Sequence, residues 1–455
     1  MKTALFIMVP HLSHYYPTFG LAHALRNRGF HVIYTIADGF ENIIQQEGFE
    51  CLSINYVDEY VIRSVKIAIG LFLKNLLHPA FKIYRYRNFW SSVNRMEEII
   101  ELKSPDIIFL DDTLGHYYPG LKKSIPVVQL STKLSPRKRT GIAPLDSYRI
   151  PQNYFLDLFL AEWEWLKHIC KRRIKRWLEH IIFLGWDGHT FLMRYSSKHN
   201  INWDKIIEHK MSFYDGIKLI PSIVLAPKEL EFSNHVAPKN EYYIHFPISR
   251  TESQFRSEIY DDLINNLVIK KKQQHCKLIY ISLGTLSSGN YKKASKFLAN
   301  IITIVRELNN IEVIIATGGI RVHKDPLAKH IHLFSVVPQL NLLLYCDLMI
   351  THGGLGSIKE CLQSGVPMLV YPLNEGVDQP SNSARIVYHN WGLRGHIEDS
   401  PTSLKRTILH ILEKLPDYQK ECQNIQKQIM TSSDRQVNIL LSQLNLLPFD
   451  SAEYL

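Results

Sequence analysis

Residues 348–364 read LMITHGGLGSIKECLQS, and the order of residue types in this stretch decides the architecture. Leu348–Thr351 is a short, almost wholly apolar run, the turn after it carries His352, Gly353, Gly354 and Gly356, and 357–364 has helical composition. An apolar strand that does not alternate with polar residues belongs to a parallel sheet covered on both faces. In such a sheet, ligands bind beyond the C-terminal ends of the strands, where helix N-termini point. Glycines let the backbone approach a phosphate there, free amides and the helix dipole favour an anion, and His352 adds a donor. Taken alone, such a turn serves equally well as a tight strand-to-helix connection.

The same alternation extends outward from this stretch. Downstream, 368–371 reads as strand and 382–389 as helix; upstream, 278–283 and 313–316 read as strands, with helices at 291–308 and 340–345. The first half repeats the pattern, with strands at 4–9, 31–36, 106–110 and 127–130 and an amphipathic helix at 19–28 that ends at Gly29. The expected class is α/β, with two doubly wound Rossmann-like domains facing across a cleft. The N-terminal domain is expected over 1–236, a polar linker containing Pro238 and Pro247 over 237–257, and the C-terminal domain over 258–430. A final helix within 431–455 is expected to pack back on the N-terminal domain.

Length and composition agree with this reading. The 455 residues exceed one core and suit two large domains, and 45% apolar with 21% charged residues is ordinary for a folded chain. The six cysteines are scattered without a CxxC pair, which argues against a zinc site or a disulfide framework. A formal charge of +10 attracts phosphates and anionic surfaces in general. Nucleic acid is not the expected partner, because no aromatic stacking platform or recognition motif accompanies that charge. The N-terminus begins like a signal peptide, but its apolar run stops at Pro10 and reads as a first buried strand. No stretch reaches the roughly 20 apolar residues of a spanning helix. The cytoplasm is the expected location.

Tyr154–Ile182 differs from its surroundings. Phe159, Trp163, Leu166, Cys170, Ile174, Trp177 and Ile181 recur at helical spacing, with Lys167, Lys171 and Lys175 away from that stripe. The plain expectation is an amphipathic helix that buries its stripe and solvates a basic face. The sharper one is an acceptor-pocket helix, or one in peripheral contact with the inner membrane face.

The stretch 352–395 resembles the donor-binding signature of the UDP-glycosyltransferase family. The matching residues are Thr351-His352-Gly353-Gly354, Glu360, Gly365-Val366-Pro367, Asp378-Gln379 and Asn382-Ser383-Ala384. Ile281-Ser282-Leu283-Gly284-Thr285 and Val337-Pro338-Gln339 extend the resemblance upstream, and it continues more weakly over the first 135 residues. It implies a GT-B architecture and natural-product-type hexosyl transfer. The N-terminal domain would hold the acceptor, and the C-terminal domain a UDP- or TDP-sugar co-substrate. Val336 stands where plant members place a base-stacking tryptophan, which leaves uracil versus thymine open. The resemblance puts the diphosphate on His352 and the Gly354–Ser357 backbone, with Ser282, Gly284, Thr285, Val337 and Gln339 nearby. It puts the ribose on Glu360 and the transferred sugar on Asp378 and Gln379. Ser357 and Glu360 also have capping-box spacing, and Asp378 stands where a helix N-cap is expected.

By the same resemblance His14, three residues before Pro17, is the general base, with His11 as second candidate. Histidine suits proton removal near neutrality. The family's Gly-His-x-Asn-Pro is here Ser13-His14-Tyr15-Tyr16-Pro17, so the loop departs from the pattern. Asp111, with Asp112 as its neighbour, occupies the place of the partner carboxylate that fixes the histidine tautomer. The implied reaction is an inverting, metal-independent displacement onto the hydroxyl of a lipophilic small molecule. No Asp-x-Asp motif suited to a metal is seen, so neither metal nor cofactor is expected. The alternatives are a nucleotide-sugar-binding protein without turnover and a nucleotide-sugar epimerase of the same fold.

Overall fold

Short apolar runs become the strands of two parallel sheets in the computed structural model, which describes residues 1–54, 65–113, 125–152, 154–199, 220–248, 256–284, 290–322, 327–431 and 434–446. The first sheet holds β1 (Lys2–Ile7), β2 (Phe30–Ile36), β3 (Glu50–Ser53), β4 (Ile107–Asp111), β5 (Val127–Ser131), β6 (Ser222–Val224) and β7 (Glu241–Tyr243). Its order is β3-β2-β1-β4-β5-β6-β7. The second holds β8 (Lys277–Ser282), β9 (Ile311–Ala316), β10 (Ile331–Phe334), β11 (Leu348–Thr351), β12 (Met368–Val370) and β13 (Gly392–Arg394), in the order β10-β9-β8-β11-β12-β13. The pairing within both sheets is parallel.

The unbroken apolar runs have a direct cause. Ala4 and Phe6 of β1 enter one core while Leu5 and Ile7 enter another on the opposite face. In β8, Leu278 and Tyr280 likewise part from Ile279 and Ile281. Both faces of each sheet are covered, so both parities must be apolar.

Strand order reverses beside β1 and β4 in the first sheet and beside β8 and β11 in the second. These switch points are where a doubly wound sheet opens a crevice at its C-terminal edge. The residues singled out from sequence leave the strands there: His14 beyond β1, Asp111 at the end of β4, Ser282 at the end of β8 and His352 after β11.

The two halves meet through a shared core in which Leu134, Val224 and Leu230 pack with Met349, Leu355 and Ile358. A buried ion pair joins them as well. Glu231 accepts from Arg385 Nη2 at 2.5 Å and from Arg139 Nη1 at 3.2 Å. Helix Asp434–Gln443 returns to the first domain, where Val437, Leu440 and Leu441 enter its core and Arg28 Nε donates to Asn438 Oδ1 at 2.8 Å.

Two expectations need correction. The stretch 237–257 is not all linker, because Glu241–Tyr243 pairs with β6 as the last strand of the first sheet. The polar letters around it hid a three-residue strand whose pairing comes from its neighbour. The stripe on helix Tyr154–Ile182 is not buried either. The helix packs through Ala161, Trp165 and Ile182, with Trp165 Nε1 donating to the Ile142 carbonyl at 2.8 Å. Phe159 (69% exposed), Trp163, Leu166, Ile174 and Trp177 (62% exposed) face outward. Periodicity identified the helix but not the side that meets the core.

Candidate active site

His14 lies in a short helix, Leu12–Tyr15, rather than in an open loop, and His11 caps that helix by accepting from Ser13 N. His14 Nδ1 is 2.6 Å from Asp111 Oδ2. Asp111 is fully buried, and its other oxygen accepts from Thr113 N at 3.0 Å and Thr113 Oγ1 at 2.6 Å. Thr132 Oγ1 lies 3.2 Å from His14 Nδ1. Asp112 points elsewhere: Ser131 Oγ donates to it at 2.9 Å, and Lys133 Nζ stands 3.5 Å away.

Electrostatics follow from this geometry. Burial disfavours the charged His14 ring, but the charge and hydrogen bond of Asp111, with the charge of Asp112, raise its pKa above 6.5. Burial would push Asp111 up, yet His14 and the two Thr113 donors hold its carboxyl below the usual range. Asp112 moves the other way, raised by burial and by the charge of Asp111. His11 is lowered by burial and by the charge of His14. Within this pair of histidines, His14 alone has a buried carboxylate behind it.

Across the cleft, His352 occupies a slot that only glycine permits. A Cβ on Gly284 (φ +69°) would lie 2.4 Å from His352 Cε1, and one on Gly354 would lie 2.7 Å from its Nε2. Burial lowers the His352 pKa to about 4, so the ring is neutral near pH 7. Its Nδ1 is buried and has no hydrogen-bond partner. Gly353 contributes its carbonyl, which accepts from Asn382 Nδ2 at 3.0 Å. Gly354 caps helix Leu355–Ser364, which starts ahead of Ser357, so Ser357 and Glu360 form no capping box. No side chain caps the first amides of that helix, and a helix N-terminus of this kind is suited to an anion.

Glu360 is buried and accepts from Gln339 Nε2, which also reaches Ser357 Oγ at 3.3 Å. Tyr280 OH in turn donates to Gln339 Oε1 at 3.0 Å. Ser282 Oγ accepts from Gly284 N at 3.3 Å, and Val337 is buried in the domain core. Thr285 lies outside the described residues. Asp378 stands at the N-cap position of helix Gln379–Tyr388 but caps no backbone amide. Its carboxylate instead accepts from Asn382 Nδ2 at 2.9 Å, and burial raises its pKa. Gln379 Oε1 accepts from Leu373 N and Asn374 N, both at 2.8 Å, which fixes the preceding loop and leaves its amide nitrogen for another acceptor.

The two halves of the site share one electrostatic field, because the charges of Lys133 and His14 both act on Asp378. Sequence reasoning did not pick out Lys133, Thr132 or Thr113. The available signal was their position just after β4 and β5, at the C-terminal edge of a parallel sheet. Among the described residues, no group of three His, Cys, Asp or Glu side chains gathers as a metal site.

Comparison with known proteins follows the same lines. Residues 262–437 match the glycosyltransferase family 28 C-terminal domain. Over 151 residues the chain is 26% identical to the zeaxanthin glucosyltransferase of Pantoea ananas, a stretch that covers 32% of this chain and 33% of that protein. The match thus spans about a third of that curated relative. The solved glycotransferase of kitacinnamycin superposes with a TM-score of 0.69 at 17% identity, covering 98% of this chain and 99% of that one. The glycosyltransferase VinC, solved in complex with DTDP, superposes with a TM-score of 0.60 at 16% identity, covering 98% and 100%. At these identities the structural likeness is one of fold, and that fold is GT-B.

Proposed function

The chain carries the glycosyltransferase family 28 C-terminal domain on a GT-B fold, and from that premise we propose that it moves a hexose from a UDP- or TDP-sugar to a hydroxyl of a lipophilic small molecule. The observation that carries this reading is the half-buried His14 backed by fully buried Asp111 at the switch point of the first sheet, close enough to Asp378 of the second domain for the His14 charge to act on it.

An acceptor hydroxyl is a weak nucleophile until its proton has somewhere to go. In this reading Nε2 of His14 takes that proton while Asp111 holds Nδ1–H, a tautomer assigned from the hydrogen-bond partners. The oxygen forms its bond to the anomeric carbon as the bond from that carbon to the diphosphate breaks, so configuration inverts. Neutral His352 and the amides of helix Leu355–Ser364 meet the charge that develops on the leaving diphosphate. That role needs no metal. Asp378 and the free amide of Gln379 hold sugar hydroxyls. Glu360 takes the ribose hydroxyls by exchanging its bond from Gln339.

UDP and TDP both remain within the proposal. VinC was solved with DTDP, and exposed Val336 offers no ring to stack on either base. The lipophilic acceptor is supported by a relative named for glucosylating zeaxanthin. The test is release of nucleotide diphosphate from a panel of UDP- and TDP-sugars, with lipophilic alcohols and excess EDTA present. Acceptor-dependent release with glycoside formation supports the reading; no release from any pair, or donor epimerisation alone, overturns it.

A further inference from the structure

The outward stripe on helix Tyr154–Ile182 has a neighbour. Helix Val65–Leu77 lies against its C-terminal end, packed through Leu71, Ile182 and Phe183, and Asn75 Nδ2 donates to the Ile182 carbonyl at 3.4 Å. The outer side of this shorter helix is also apolar, with Val65 (76% exposed), Ile69, Leu73 and Leu77 facing solvent. Isolated apolar residues on a surface are ordinary, but here two helices packed on each other both leave a row of apolar side chains exposed.

Basic residues border that face. Between 166 and 178 the chain carries Lys167, Lys171, Arg172, Arg173, Lys175 and Arg176 and no acidic residue. Lys66 and Lys74 are exposed on the shorter helix. Among the described residues no helix is long and apolar enough to cross a membrane. An apolar stripe with tryptophans, edged by cations and too polar to span, suits a helix lying in the plane of a bilayer interface.

We propose that this face docks on the anionic surface of a lipid bilayer. Charge complementarity selects this occupant over a second copy of the chain, which would bring one basic border against another. The apolar side chains enter the headgroup boundary while the lysines and arginines meet anionic lipid. This docking does not depend on which reaction the cleft performs. With the proposed reaction, it would set the acceptor domain beside the phase in which a lipophilic alcohol dissolves.

The experiment is co-sedimentation of the full chain with phosphatidylcholine vesicles, with and without phosphatidylglycerol, at low and high salt. Binding is expected to the phosphatidylglycerol vesicles at low salt and to fall roughly tenfold or more at high salt. A Phe159→Ser/Trp177→Ser variant and a Lys171→Glu/Arg173→Glu variant should each bind roughly tenfold less. Both should keep the wild-type circular dichroism and thermal midpoint, because all four side chains are exposed. No binding at low salt, or variants that bind like wild type, overturns the proposal. So does a concentration-dependent dimer that the apolar variant dissolves, which would make the face an interface between copies.

Discussion

Nδ1 of His14 lies 2.6 Å from Oδ2 of Asp111, a residue 97 positions further along the chain and completely buried. Two donations from Thr113 to the other oxygen keep that carboxylate charged and oriented. If this contact sets the imidazole tautomer, Asp111→Asn should lower kcat by roughly 10³–10⁴-fold while the donor dissociation constant stays nearly unchanged. Steady-state kinetics with a nucleotide-binding titration measures both. A variant with wild-type kcat would remove Asp111 from the mechanism.

The pH profile follows from the same pair. A base must be neutral to accept a proton, and the His14 pKa is raised above 6.5 once the Asp111 charge outweighs burial. Thus kcat/KM should fall on the acid side with a midpoint above 6.5 and plateau at higher pH. The Asp111→Asn substitution puts a neutral amide in place of the charge that raises the histidine, so it should move that midpoint down. A wild-type acid limb centred below 6.5 would contradict the assignment.

Gly284 and His352 give a steric prediction. Gly284→Ala places a Cβ 2.4 Å from the His352 ring at a φ of +69°, so the ring must leave its slot. Donor affinity should weaken by roughly tenfold or more, the equivalent of the strain such a backbone position stores. Gly29→Ala is the control, since it shares a positive φ (+82°), its Cβ would meet nothing within 4 Å, and it lies in the other domain. Calorimetric titration of the nucleotide into both variants separates the two outcomes.

Glu231 ties the domains together through Arg385 and also holds Arg139 of its own domain, and all three side chains are buried. Glu231→Gln leaves two guanidinium groups without their carboxylate and should cost roughly 3–5 kcal/mol in unfolding free energy. Burial opposes the ionised carboxyl, but the two arginines hold its pKa far below 4.5. The contribution is therefore complete above the unfolded-state value and is lost only as pH falls through the depressed folded-state value. Urea unfolding at pH 7 of both forms gives the difference.

Much of the fold was legible because a strand covered on both faces must be apolar at both parities. Leu348–Thr351 and residues 278–282 could be read in that way. Three-residue strands such as β6 and β7 could not, since the neighbouring strand decides whether Glu241–Tyr243 pairs at all. At the site, the glycines around His352 were visible as a cluster, but their role as walls of a slot needed Gly284 and Gly354 to be brought together from distant parts of the chain. Glu231 and Arg385, separated by 154 residues, left no local signal. The outward stripe of helix Tyr154–Ile182 shows the remaining limit: its period fixed the helix, while its outward direction depended on Trp165 finding the Ile142 carbonyl.

The most direct test of the account is nucleotide diphosphate release by His14→Ala beside the wild-type chain, with the same donor and a lipophilic alcohol. The account predicts acceptor-dependent release by wild type and a loss of roughly 10²–10⁴-fold in the variant. Nucleotide affinity should be retained, because the proposed donor contacts lie in the other domain. Wild-type turnover by the variant would contradict it.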